Sequence, residues 1–241
     1  MKKILAIVFV LCVGIALAAP IRSMLASRGG EYTEEEPPYP LPDGVVAVEY
    51  LEGDGNSYID TGIVPNNSVE IEVEARRTNG GGMPYLMGFG PDNDAPYAWA
   101  VLIRYASSAY GACIFVRGTY SASNVKVGIT KDSFTKIRLT KTSVVVNDEV
   151  RAFSGADVIV QQGCRVYVFA GGGRNKPFGI CPSGFLIRRA SVFQDGECVW
   201  YGIPVRFVNE DGIWEGAMYD IISEELFYNQ GTGAFIIGPD L

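Results

Sequence analysis

Histidine is missing from all 241 residues. Its absence removes Ser-His-Asp and Cys-His nucleophilic catalysis, histidine-ligated zinc and histidine pH switching together. An enzyme on this chain has to work with carboxylates, Tyr, Lys, Ser or Cys, and glycosidases are one class that does. An excess of positive charge is also lacking. The net charge of −7 and an isoelectric point near 4.8 argue against a nucleic-acid partner, which needs a basic patch. Beyond residue 44 no amphipathic helical periodicity stands out and no internal repeat is apparent. The length suits one sizeable β domain, since single sandwiches commonly run to about 200–250 residues.

What is present begins with "MKKILAIVFVLCVGIALAAP" (1–20). Lys2 and Lys3 make a basic start, 4–19 is an apolar run, and Ala16-Leu17-Ala18 offers small residues at the spacing a signal peptidase reads. As a helix the run is about 24 Å long at ~1.5 Å per residue, short of a ~30 Å hydrocarbon core. Residues 1–19 therefore read as a signal peptide, or as a signal anchor if uncleaved. Either one exports the rest of the chain and confines any membrane contact to this segment. Lipoprotein processing does not fit, because Leu11 rather than a small residue precedes Cys12. A Pro/Glu-rich linker follows over 20–44. Its core, "EYTEEEPPYPLPDG" (31–44), holds four prolines and four glutamates without apolar periodicity, the composition of an extended spacer.

From residue 45 the chain is a series of short β-branched and aromatic runs broken by Gly, Asn, Asp and Pro. They include "VVAVEYL" (45–51), "VEIEVEARR" (69–77), "AWAVLIRY" (98–105), "ACIFVRG" (112–118), "KIRLT" (136–140), "SVVVN" (143–147), "CRVYVFAGG" (164–172), "FLIRRASVF" (185–193) and "CVWYGIPVRF" (198–207). Many such strands with frequent turn signals predict an all-β sandwich or barrel. Residues 140–144 join two strands, Asn147-Asp148 and Asp195-Gly196 are tight-turn pairs, and Asp211-Gly212 repeats the signal.

Three stretches then carry a resemblance: "YLEGDGNSYIDTGIVPNNSVEIEVEAR" (50–76), "GFLIRRASVFQDGECVWYGIPVR" (184–206) and "GAMYDIISEELFYNQGTGAFIIGP" (216–239). In order and spacing they are similar to the laminin-G-like, concanavalin A-like jelly-roll modules of bacterial surface and phage structural proteins. The resemblance covers nearly all of 45–241. It implies a two-sheet antiparallel β-sandwich (jelly roll) over 45–241 and speaks for fold rather than ligand. Gly231 and Gly233 fit a sharp turn and close backbone approach, with Phe227 and Phe235 as core anchors on either side. Asp60 and Thr61 fit a turn that Gly62 closes.

The same fold houses retaining glucanases whose active strand resembles Glu-x-Asp-x-Glu. Period-2 alternation puts Glu70, Glu72 and Glu74 on one strand face, ~6.6 Å apart, near the ~5–5.5 Å of a retaining carboxylate pair. Against catalysis, the middle residue is Glu, the strand directly follows "YIDTG", and no tryptophan lies nearby to stack a sugar. The plainer reading has Ile71 and Val73 inside and the glutamates in water. The loop "GFGPDNDAPYAWAVLIRYASSAYG" (88–111) carries the other candidates. Asp92, Asn93 and Asp94 supply hard oxygens of the kind calcium takes, though a plain turn uses the same residues. Tyr97, Trp99, Tyr105 and Tyr110 offer rings for a sugar face, while the alternation of Trp99, Val101 and Ile103 also suits a core strand. "AGGGRNKPFG" (170–179) lacks the Gly-Lys-Ser/Thr of a phosphate loop and reads as a flexible surface loop.

After Cys12, the cysteines are Cys113, Cys164, Cys181 and Cys198. An exported domain permits disulfides, three connectivities are open, and buried free thiols are the alternative. The hairpin at 195–196 pairs Phe193 with Cys198, so Cys181 is not the cross-strand partner of Cys198. The expected role is an exported, non-catalytic binding or adhesion module for a glycan or a surface protein. The alternatives are a structural scaffold of a surface or phage-like assembly and, third, a retaining glycoside hydrolase.

Overall fold

The computed structural model of the chain describes residues 39–78, 85–90, 101–105, 112–117, 120–129, 133–152, 163–172 and 177–241, with backbone alone for 101–128 and 178. All of them lie within Pro37–Leu241, one of the two units into which the chain divides. The predicted segment 1–19 and most of the linker fall outside the described residues.

Alternation decides the elements. In Glu70–Arg77 every second residue from Ile71 to Ala75 is fully buried, and the glutamates between are not. The strands in chain order are β1 (Val45–Ala47), β2 (Leu51–Glu52), β3 (Ile59–Asp60), β4 (Glu70–Arg77), β5 (Tyr85–Phe89), β6 (Val101–Tyr105), β7 (Ala112–Arg117), β8 (Tyr120–Gly128), β9 (Thr135–Leu139) and β10 (Ser143–Val146). They continue with β11 (Glu149–Ala152), β12 (Tyr167–Val168), β13 (Gly171–Gly172), β14 (Pro177–Phe178), β15 (Phe185–Gln194), β16 (Glu197–Val208), β17 (Trp214–Asp220), β18 (Glu225–Tyr228) and β19 (Ile236–Ile237). Among the described residues no helix is long and apolar enough to cross a membrane.

Two antiparallel sheets carry the fold. The larger runs β11-β10-β9-β4-β15-β16-β17-β18 and the smaller β3-β12-β5-β6-β7-β8. The β15–β16 hairpin holds from Gln194 and Glu197 back to Ala190 and Gly202; further along, β15 takes β2 and β16 takes β1 as partner. Ile71, Val73, Val192, Trp200 and Met218 of the larger sheet share one hydrophobic core with Leu86, Met87, Phe89 and Val168 of the smaller. This is the sandwich-like, all-β architecture the turn spacing predicted. The C-terminal residues run back along the first strands. β19 pairs with β2, Gly238 N donates to Tyr50 O, Glu49 N to Pro239 O, and Leu241 N to Ala47 O.

Both tight hairpins take the predicted turns. Asn147 and Asp148 have φ of 44° and 70°, Asp195 and Gly196 of 53° and 81°, the positive pair of a type I′ turn. Phe193 lies opposite Cys198, as expected. Two predicted strands are broken: 45–51 divides into β1 and β2, and 164–172 into β12 and β13 around Phe169, a fully buried residue at φ 64°. The surface-loop reading of 170–179 is wrong at its start. Ala170, Gly171 and Gly172 are buried, β13 pairs with β14, and a Cβ on Gly172 would strike the Tyr167 ring. Residues 173–176 lie outside the described residues.

Candidate functional site

The glutamate face of β4 is the candidate that the fold assembles. In register, Glu72 lies between Arg138 of β9 and Ser191 of β15, and Glu74 between Lys136 and Arg189. Ion pairing is diagonal on the β9 side. Arg138 reaches past Glu72 to Glu70, donating from Nε and Nη2 to Oε2 at 3.0 and 2.6 Å. Lys136 Nζ reaches Glu72 at 3.7 Å. Diagonal neighbours on adjacent strands are ~7–8 Å apart, within reach of side chains this long. On the other side a β-bulge between Ile187 and Arg189 brings two successive arginines to one carboxylate: Arg188 and Arg189 each stand 3.8 Å from Glu74.

Aromatic rings support the cations. The Arg138 guanidinium sits 3.8 Å from the Phe193 ring centroid, and that of Arg76 lies 4.7 Å from Phe134 and 5.6 Å from Tyr50. Arg188 also lies over Phe134, at 5.6 Å. Planar guanidinium groups stack on rings while still donating in plane, which holds them in one orientation.

This packing changes the expected environment of the glutamates. Their side chains keep only 23%, 17% and 19% of their surface open, so they lie under the arginine and lysine stems rather than in open water. Burial pushes the Glu72 carboxyl above the usual carboxylate range; Glu74 and Asp148 add to the rise, and Lys136 and Arg138 only partly oppose it. Cys198 lies close enough to feel Glu72, Arg138 and Asp220, but burial holds its thiol up at about 12, so it is no thiolate nucleophile at neutral pH. Cys181 is pushed up by burial as well. Cys181 and Cys198 are free thiols, and Cys113 is described as backbone in β7 only.

The remaining predicted residues separate by location. Asp92, Asn93, Asp94, Tyr97, Trp99 and Tyr110 lie outside the described residues, and Tyr105 is described as backbone in β6 only. Among the described residues no group of three or more acidic or cysteine side chains converges as a metal site would require. Sequence reasoning did not find Arg138, Arg188, Arg189 or Phe193 as partners of β4. Their alternation was visible; the register that brings them to the glutamates was not.

The two glycine-marked motifs meet in a single knot. Asp54 Oδ1 accepts from Asn56 N at 2.8 Å and Ser57 Oγ at 2.7 Å, and Oδ2 accepts from Ala234 N at 2.9 Å. Asn229 closes the other side, accepting from Tyr58 N and Gly231 N and donating to Gly233 O. A Cβ on Gly231 would strike the Asn56 carbonyl, and one on Gly233 the Asp54 carboxylate, so both are needed for close approach. In the neighbouring turn Gly62 N donates to Asp60 and Ile63 N to Thr61, as predicted. Comparison with models of known protein families and with curated proteins finds no match.

Proposed function

We propose that residues 45–241 form a laminin-G-like, concanavalin A-like jelly roll acting as an exported, non-catalytic binding module for a glycan or a surface protein. The observation that carries this reading is the engagement of all three β4 carboxylates by cations from neighbouring strands. A retaining hydrolase needs one carboxyl free to attack and a second free to give up a proton. Here Glu70 is held by two hydrogen bonds from Arg138, and Glu74 is approached by two successive arginines of β15. The arrangement suits a rigid surface with fixed donors better than a pair of reacting acids. Support for the family reading is the docking of "EGDGNSYIDTG" against "YNQGTGAF" around Asp54 and Asn229, two of the stretches on which the resemblance rests.

The test uses the full chain in detergent, screened on a glycan array and against surface-protein extracts, with calcium and with chelator. Retention of a ligand without release of reducing sugar is the expected result. Calcium dependence that disappears in Asp92→Ala/Asp94→Ala would assign a metal to that loop. Sugar release abolished by Glu72→Gln would replace the binding reading with the hydrolase one.

A further inference from the structure

The tip of the β16–β17 hairpin carries an aromatic platform that the proposed function has not used. Trp214 opens β17 opposite Val208, the last residue of β16. It keeps 45% of its surface open, and Val208 and Ile213 beside it keep 46% and 59%. One side of the indole is occupied: the Arg206 guanidinium stands 3.7 Å from the ring centroid. Arg206 is itself fixed, donating from Nε to Asp240 Oδ1 at 2.6 Å and from Nη2 to Oδ2 at 2.7 Å. Asp240 belongs to the C-terminal segment and bridges Val48, so the clamp is anchored in the fold.

The loop that presents the ring is also held. Asn209 Oδ1 accepts from Asp211 N and Ile213 N, Asn209 Nδ2 donates to Glu215 Oε1 at 2.6 Å, and Gly212 takes φ 78°. A large ring left half open yet fixed by a bidentate ion pair is preorganised, which removes most of the ordering cost of binding.

We propose that Trp214 is a stacking platform for a neutral hexopyranose unit, with Arg206 and Asp240 as positioning residues. A pyranose presents a flat C–H face that fits an exposed indole and a rim of hydroxyls that need acceptors. The loop supplies them: Glu210 and Asp211 are exposed in it, and among the described residues the cation stacked on the ring, Arg206, is already paired with Asp240. That acidic rim repels uronates and sulfated sugars, which fixes the class as neutral. It also disfavours a protein partner, whose interface core is depleted of charge and spreads over about 800 Å² a side, far beyond three apolar side chains. The proposal rests on the binding-module reading and gives it a location.

The test is titration calorimetry on the full chain in detergent with cellohexaose, laminarihexaose, mannohexaose and chitohexaose. Oligogalacturonate and a sulfated oligosaccharide are the anionic probes. At least one neutral hexaose should bind. Trp214→Ala should weaken it at least tenfold and Arg206→Lys about threefold, with Trp214→Phe in between and unfolding midpoints near wild type. Arg206→Lys keeps the charge but loses the planar fork, so its effect reports ring positioning. Equal binding of a neutral hexaose by wild type and Trp214→Ala would overturn the site and leave the binding-module reading standing. Preference for the anionic probes would overturn the ligand class. Binding of no saccharide by wild type, with a protein retained through Trp214 instead, would overturn the proposal while keeping the module. Binding of neither would remove both.

Discussion

Asp54 and Glu72 are carboxylates with opposite dependence on pH. Burial raises the Asp54 carboxyl, but hydrogen bonds from Asn56 N, Ser57 Oγ, Ala234 N and Ser57 N outweigh it and hold the group below 3.8. A lowered carboxyl contributes stability above its unfolded value and loses it as pH falls through the folded one. Asp54→Ala removes the acceptor of these hydrogen bonds and should cost about 2–3 kcal/mol in urea unfolding at pH 7, with a smaller difference at pH 3. Glu72 is raised above 4.5, chiefly by burial, so its contribution is present below that value and lost as pH rises through the folded one. Glu72→Gln should therefore raise the melting temperature at pH 7, by about 2–4 °C if the gain is ~1 kcal/mol, and leave it unchanged near pH 4. A third residue-scale test is Gly231→Ala. Its new methyl meets the backbone carbonyl of Asn56, which cannot move aside, and the expected loss is about 1–3 kcal/mol; exposed Thr232→Ala should stay within about 0.5 kcal/mol.

At the level of elements, legibility followed periodicity and turn chemistry. β4, β9, β10, β15 and β16 were each visible as alternating or β-branched runs, and the Asn147-Asp148 and Asp195-Gly196 turns were visible as residue pairs. β8 was not, because "YSASNVKVG" has small and polar residues where a core strand shows large ones. Phe169 at φ 64° was illegible as well, since nothing in an aromatic residue announces a left-handed backbone; its surroundings impose it. The ion-paired face was half legible. The glutamates were found, but the diagonal reach of Arg138 and the bulge at Arg188 exist only once β9 and β15 flank β4. The β10–β11 turn offers a direct check. Asp148→Gly converts Asn-Asp into Asn-Gly, the favoured type I′ pair, and removes a charge that pushes on Glu72. A gain of up to about 1 kcal/mol in thermal unfolding is expected.

For the whole molecule, the all-β class followed from strand spacing and the antiparallel sheets from the resemblance, whereas the pairing of the first strands with the last residues followed from neither. That pairing predicts a further outcome. Deleting 236–241 removes β19 from β2 together with the Glu49–Pro239, Tyr50–Gly238 and Ala47–Leu241 hydrogen bonds and the Arg206–Asp240 clamp. The loss should exceed about 3 kcal/mol, at roughly 1 kcal/mol for each hydrogen bond, measured by urea unfolding of the full chain and the truncated one. The same wiring sets a clock. Hairpins such as β9–β10, β15–β16 and β16–β17 close between chain neighbours, but the ladders that join them do not: Glu70 finds its partner at Phe193 and Leu51 at Ile237 in the larger sheet, and Ile59 at Val168 in the smaller. Loops must be searched before those contacts reward the search, and domains wired this way reach the native state in milliseconds to seconds rather than microseconds. A newly made chain of this kind stays pliable through that interval, until β4 meets β15 and β2 meets β19.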